Sequence, residues 1–243
     1  VIKIGLLAEG EAELGPSVPY LKPENGGQVI APTQEGALHT LIRRELLAAG
    51  LPDCQFVHRH PNFKEISKGK VHTGHGVLDT KYLAQTVVAW QPHEIDMVII
   101  LVDADYELEK RTKDLAQALA TIAANHINAN DQRILNRHAG GLAIKNFDTW
   151  LLADSDKITA WLQVALPADL PQNLETLPGN AKEILENAVG QSMYTPTHAG
   201  NGSRELKARW ELARLVDLER IKERCPQGYG KFMMTVCAVA RGL

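Results

Sequence analysis

The sequence predicts an α/β protein with an open, mostly parallel sheet flanked by helices and a helical C-terminal extension. Three observations lead there. Met97 to Val102 (MVIILV) is an uninterrupted apolar run of strand length, the pattern of a central parallel strand covered on both faces. Short apolar runs alternate with segments of helical period up to Asp154, which implies right-handed crossover units. Beyond Asp154 strand signals fade while helical ones continue. The expected organisation is a core over residues 1–154 and a helical extension packed on it over 155–243.

Val1 to Ala8 (VIKIGLLA) reads as a buried first strand that delivers Glu9 to its end. Gly10 to Pro32 is rich in proline and glycine without periodicity and reads as a long loop. Thr33 to Ala49 has Ala37, Leu38, Leu41, Ile42, Leu46 and Leu47 at helical spacing, with Thr33 as N-cap and Gly50 as stop. Cys54 to His58 is a short strand, and Val77 to Trp90 a helix closed by Pro92. Glu107 to Asn125 reads as a helix, Gly141 to Lys145 as a strand, and Phe147 to Ala153 as an apolar helical stretch. Lys157 to Ala165, Asn180 to Val189, Arg204 to Leu215 and Leu218 to Arg224 complete the helical part.

Composition narrows the function. A chain of 243 residues with 44% hydrophobic content can bury one sizeable core. No apolar run approaches the roughly 20 residues that span a bilayer, and the apolar start is too short for a signal peptide, so a cytoplasmic protein without membrane contact is expected. Cys54, Cys225 and Cys237 form neither a disulfide framework nor a zinc ribbon. A net charge of −3 argues against coating nucleic acid through bulk electrostatics.

Glu9 follows one strand, and Asp103 and Asp105 end another. In open α/β sheets such positions converge beyond the carboxyl ends of the strands, near a switch in strand order. Residues two apart in extended chain point the same way, so the aspartates can face one ion if the strand geometry persists. Oxygen-only donors suit a hard cation, Mg2+ or Mn2+, which also offsets the mutual repulsion of crowded carboxylates. The alternative is that Asp105 caps the helix that follows.

Glu9-Gly10-Glu11-Ala12-Glu13 after the first strand and Val102-Asp103-Ala104-Asp105 after a later one resemble the two signature motifs of Toprim domains. Such domains occur in topoisomerases, primases and the overcoming-lysogenization-defect nucleases. Ala143 to Asp154 (AIKNFDTWLLAD), Leu177 to Lys182 (LPGNAK) and Cys225-Pro226 resemble a bacterial Toprim-like family of unknown function, small proteins usually paired with an ABC/AAA-type ATPase. The resemblance implies a Rossmann-like core and a metal-dependent nuclease, the effector of a two-gene antiphage defence system. It also implies Glu9 as metal ligand or acid/base, Glu13 as a second ligand, and Asp103 and Asp105 as holders of the ion. Asp148 stands where the family's block is expected to carry Glu, which keeps the charge and shortens the reach. Lys145 then stabilises charge on a phosphate, or is simply solvated. The substrate implied is DNA or RNA.

His58, His60, His72 and His75, interleaved with Lys64, Lys68 and Lys70, read as a zinc site, a phosphate-facing loop or a solvated one. From Ser203 onward nine Lys or Arg stand against five Asp or Glu, so Arg204, Lys207 and Arg214 line a nucleic-acid track or belong to solvated helix faces. Trp150, Trp161 and Trp210 read as core. No Walker lysine motif occurs. Two other functions fit the same residues: a non-catalytic adaptor of the ATPase, and a different metal-phosphate enzyme, against which Tyr106 and Glu107 follow the aspartates where a phosphatase wants Thr or Ser.

Overall fold

The computed structural model describes residues 1–16, 35–57, 74–91, 94–128, 130, 132–134, 136–197 and 202–243. In chain order the elements are β1 (Ile2–Leu7), α1 (Glu11–Leu14), α2 (Ala37–Ala48), β2 (Cys54–Val57), α3 (Thr80–Ala89), β3 (Met97–Asp105) and α4 (Leu108–Asn125). They continue with β4 (His138–Ile144), α5 (Asp148–Leu151), α6 (Ser155–Leu162), α7 (Ala181–Gln191), α8 (Arg204–Leu215), α9 (Leu218–Arg224) and α10 (Lys231–Arg241).

The four strands pair in parallel in the order β2-β1-β3-β4, an open α/β sheet of Rossmann-like kind. After β1 the chain crosses to β2 on one side. It then returns past β1 to β3, so the order reverses between β1 and β3, the switch point at whose carboxyl end open sheets of this kind form a crevice.

The central strands alternate with period two, yet both faces are apolar. Ile4, Leu6, Met97, Ile99 and Leu101 face one core, and Leu7, Val98, Ile100 and Val102 face the other. Leu38, Leu41 and Ile42 of α2, Trp210 and Leu212 of α8, and Phe232, Met233 and Val236 of α10 cover the first face. Tyr82, Leu83 and Val87 of α3 with Leu115, Ala118 and Ile122 of α4 cover the second. The C-terminal helices therefore share a core with the sheet. Gly141 in β4 shows how closely they pack: a Cβ there would lie 2.3 Å from the Phe232 ring.

Several boundaries differ from the sequence reading for local reasons. Helix α2 starts at Ala37 behind Gly36, whose N–H donates to His39 Nδ1, while Thr33 lies outside the described residues. Asp79 caps α3 by accepting the Tyr82 N–H, so that helix begins at Thr80, and Val77 belongs to the preceding 3-10 turn, Gly74–Leu78. Strand β3 runs on through Asp105 instead of ending at Val102. The segment read as loop opens with α1, and residues 17–32 of it lie outside the described residues. Helix α10 was not anticipated, although Phe232, Met233, Val236, Cys237 and Ala240 form its buried stripe. Trp150 and Trp210 are fully buried, and the three cysteines are buried thiols. Among the described residues no helix is long and apolar enough to cross a membrane.

Candidate functional site

Three strand ends meet at the switch point and are tied together by carboxylates. Glu9, just past β1, accepts the Asp103 N–H on Oε1 at 2.9 Å. Asp103, near the end of β3, accepts the Phe147 N–H on Oδ1 at 2.9 Å, which joins the segment after β4. Glu13 sits in the short turn α1, whose Glu11 carbonyl accepts the Trp210 indole N–H from α8 at 2.9 Å. That anchor holds α1 against the protein, and Glu13 is left 8% exposed.

The strand geometry does not persist through the aspartate pair. The β3–β4 register slips between Asp103 and Asp105, and Asp105 takes a left-handed φ of 48°. Lys145, opposite it, has φ 69°, and the two are joined by the Asp105 N–H donating to the Lys145 carbonyl at 2.8 Å. Bulges and non-glycine left-handed residues are costly, and their concentration at one strand end re-aims side chains there. Asp103 stays half-buried, while the Asp105 side chain is 50% exposed. Asp105 does not cap α4: the N-cap position is Glu107, with no side-chain cap bond.

His75, in the turn Gly74–Leu78, reaches into the same place. Its Nε2 lies 3.4 Å from Glu9 Oε1, 3.3 Å from Asp105 Oδ2 and 3.3 Å from the Asp103 carbonyl. Asp148, at the start of α5, is buried and ion-paired through Oδ1 with Arg209 Nε of α8, and Arg209 Nη2 also donates to Glu186 at 3.1 Å.

Burial pushes the Glu9 carboxyl up to about 7, partly opposed by the Asp103 N–H and reinforced by Asp105. Burial likewise pushes Glu13 to about 7, with the fields of Asp148 and Glu9 adding to it. Asp103 is held well above the usual carboxylate range by burial and then by Glu13, Glu9, Asp148 and Asp105, so the other four predicted carboxylates all act on it. Burial also raises Asp148, against the pull of Arg209.

These shifts carry a stability prediction. Glu9 and Glu13 bind their protons more tightly folded than unfolded. Between pH 4.5 and about 7 the unfolded chain therefore releases protons that the fold keeps, and stability falls as pH rises. In chelator, urea denaturation is expected to show a loss on the order of 3 kcal/mol across that window. Glu13→Gln is expected to flatten the slope, and a wild-type profile that rises instead would show that the carboxylates are not strained.

The donor set fits a hard divalent cation in its chemistry, since it is all oxygen apart from His75, and a cation would relieve the suppressed ionisation. Among the described residues no group of three His, Cys, Asp or Glu side chains stands in the arrangement that holds a metal ion. Holding one therefore requires side-chain rotation at the cluster.

Of the residues singled out from sequence, Glu9, Glu13, Asp103, Asp105 and Asp148 share one electrostatic neighbourhood. The Lys145 ammonium, beside them, lies over the Tyr106 ring, 5.2 Å from its centroid. His58, His60, His72, Lys64, Lys68 and Lys70 lie outside the described residues. Arg204 of the C-terminal basic stretch spends its guanidinium on the Ser192 and Tyr194 carbonyls. His75 was singled out only with the other histidines, as part of a zinc site, a phosphate-facing loop or a solvated one, and not with the carboxylates it reaches. Arg209 was missed although it carried a signal: it interrupts the apolar stripe Ala208, Leu212 and Ala213, where an arginine needs a buried partner.

A family model described as "Domain of unknown function (DUF4276)" matches residues 32–233, a span that includes Asp103, Asp105, Lys145 and Asp148 and begins after Glu9 and Glu13. No curated protein matches, and no solved structure does.

Proposed function

We propose that this chain, which belongs to the DUF4276 family, is a Toprim-like, Mg2+- or Mn2+-dependent nuclease acting on DNA or RNA. The observation that supports it most is the placing of Glu9 and Asp103 at the β1/β3 switch point, with Asp103 in the field of four other carboxylates. That crevice is where open α/β sheets bind ligands. The backbone hydrogen bonds of Glu9 and Asp103 do not offset the crowding of so many carboxyl groups, and a divalent cation would.

In this reading Glu9, Glu13, Asp103 and Asp105 hold the ion. When bound, the metal lowers the pKa of water and offsets charge on a phosphodiester. In the ion-free protein burial holds the Glu9 carboxyl at about 7, and a bound ion favours the ionised form that ligates it. Lys145 offsets phosphate charge at the rim. Asp148, committed to Arg209, orients the cluster from behind and adds to the field on Asp103. The ABC/AAA-type ATPase partner, and a defence role with it, belong to this proposal through the motif resemblance.

A second reading is an adaptor of that ATPase without catalysis, favoured by the lack of a preformed ion-holding arrangement among the described residues. One experiment separates the two. Purified protein, alone and with the ATPase, is incubated with single-stranded and duplex DNA and with RNA in Mn2+, Mg2+ or EDTA. Chelator-sensitive cleavage is expected. No cleavage under any condition, together with no calorimetric Mn2+ binding, leaves the adaptor.

A further inference from the structure

We infer that Tyr106 is a stacking platform for an unpaired nucleobase, which makes single-stranded or locally opened nucleic acid the substrate class; this rests on the nuclease reading. Tyr106 follows Asp105 directly, so its Cα is about 3.8 Å from the Cα of a residue of the cluster. It is 83% exposed, whereas Trp90, Trp150, Trp210 and Tyr229 are fully buried. The left-handed φ at Asp105 turns the chain out of the sheet at that point. Lys145 Nζ covers one face of the ring, and the exposure leaves the opposite face open. Leu108, 46% exposed, extends the apolar surface.

The surroundings argue for stacking over charge. The adjoining open hollow carries Lys110 and Lys113 but also Glu107, Glu109 and Asp114, and Lys110 is paired with Glu107 at 3.1 Å. With net charge −3 on the whole chain, affinity for a polyanion has to come from somewhere other than bulk electrostatics. An aromatic ring supplies it in a sequence-tolerant way, because every base has a π-face. Within a duplex those faces are covered by neighbouring bases, so only an unstacked base can use the ring. A base held there places its own phosphate beside Lys145 and the carboxylates.

The test is an anisotropy titration of a fluorescein-labelled single strand of about a dozen nucleotides, with the blunt duplex of the same sequence as competitor. EDTA is present throughout, so neither cleavage nor metal enters. Wild-type protein is expected to prefer the single strand. Tyr106→Ala is expected to weaken that binding about ten-fold, the equivalent of one stacked base, with duplex affinity and melting temperature unchanged. Tyr106→Phe is expected to retain it. Unchanged single-strand binding in Tyr106→Ala, equal losses on both ligands, or a wild type that binds no oligonucleotide overturns the inference. Intact stacking without metal-dependent cleavage removes the nuclease reading and not this one.

Discussion

Asp103→Asn is expected to abolish metal-dependent cleavage while leaving the fold as stable as wild type or more so. Asparagine keeps an oxygen able to accept the Phe147 N–H that Asp103 Oδ1 accepts at 2.9 Å, so the tie between β3 and the segment after β4 survives. It removes a carboxyl group whose ionisation burial and four other carboxylates oppose. Relief of that repulsion is worth on the order of 1 kcal/mol at neutral pH in chelator. In the proposed nuclease the same change removes a central ligand, and the cleavage rate should fall by at least about 100-fold, the scale of losing one group that stabilises transition-state charge. Rate and stability moving in opposite directions is the signature of a functional site held at a stability cost. A variant that cuts at the wild-type rate would exclude the metal chemistry, and one that unfolds would mean that Asp103 is structural.

The opposite signs explain why the sequence exposed this part of the protein so readily. Functional sites break local rules, and acidic residues at the end of an apolar strand are such a break. The run through Val102 gave β3 its place as a covered parallel strand, and the aspartates after it marked the strand's carboxyl end. Glu9 was legible in the same way. What the pattern could not supply was conformation set by tertiary contacts. The slip of register at Asp103/Asp105 arises from pairing with β4, forty residues away in sequence, and no propensity at those positions encodes it. His75 reaches the cluster because the Gly74 N–H donates to the Glu9 carbonyl, a contact between distant segments. Helix boundaries shifted where a cap with its own hydrogen bond, such as Asp79, prevailed over apolar spacing. The pairing of Asp148 with Arg209 was equally beyond local pattern, because the two lie 61 residues apart.

Arg209→Met is expected to be among the most destabilising single substitutions in the chain. Both partners of the Arg209–Asp148 pair are nearly inaccessible, with side chains 6% and 9% exposed. Burial pushes the Asp148 carboxyl upward, and the contact with Arg209 opposes that shift by favouring the ionised form. Methionine fills much of the arginine stem's volume but leaves Asp148 beside the other carboxylates with only the weaker pull of Lys182. Breaking a buried pair from one side costs about 3–5 kcal/mol, which for a chain of this size lowers the melting temperature by roughly 10 °C. Asp148→Asn in the same background should restore most of the loss, because an amide needs no counter-charge and removes the repulsion from Glu13 and Asp103. The double-mutant cycle reads the coupling directly, and a near-additive result would mean that Arg209 acts through Glu186 or packing instead. Restored stability in the double variant with cleavage still impaired would assign Asp148 to orienting the cluster. Wild-type cleavage in that variant would confine the pair to holding α8 against α5.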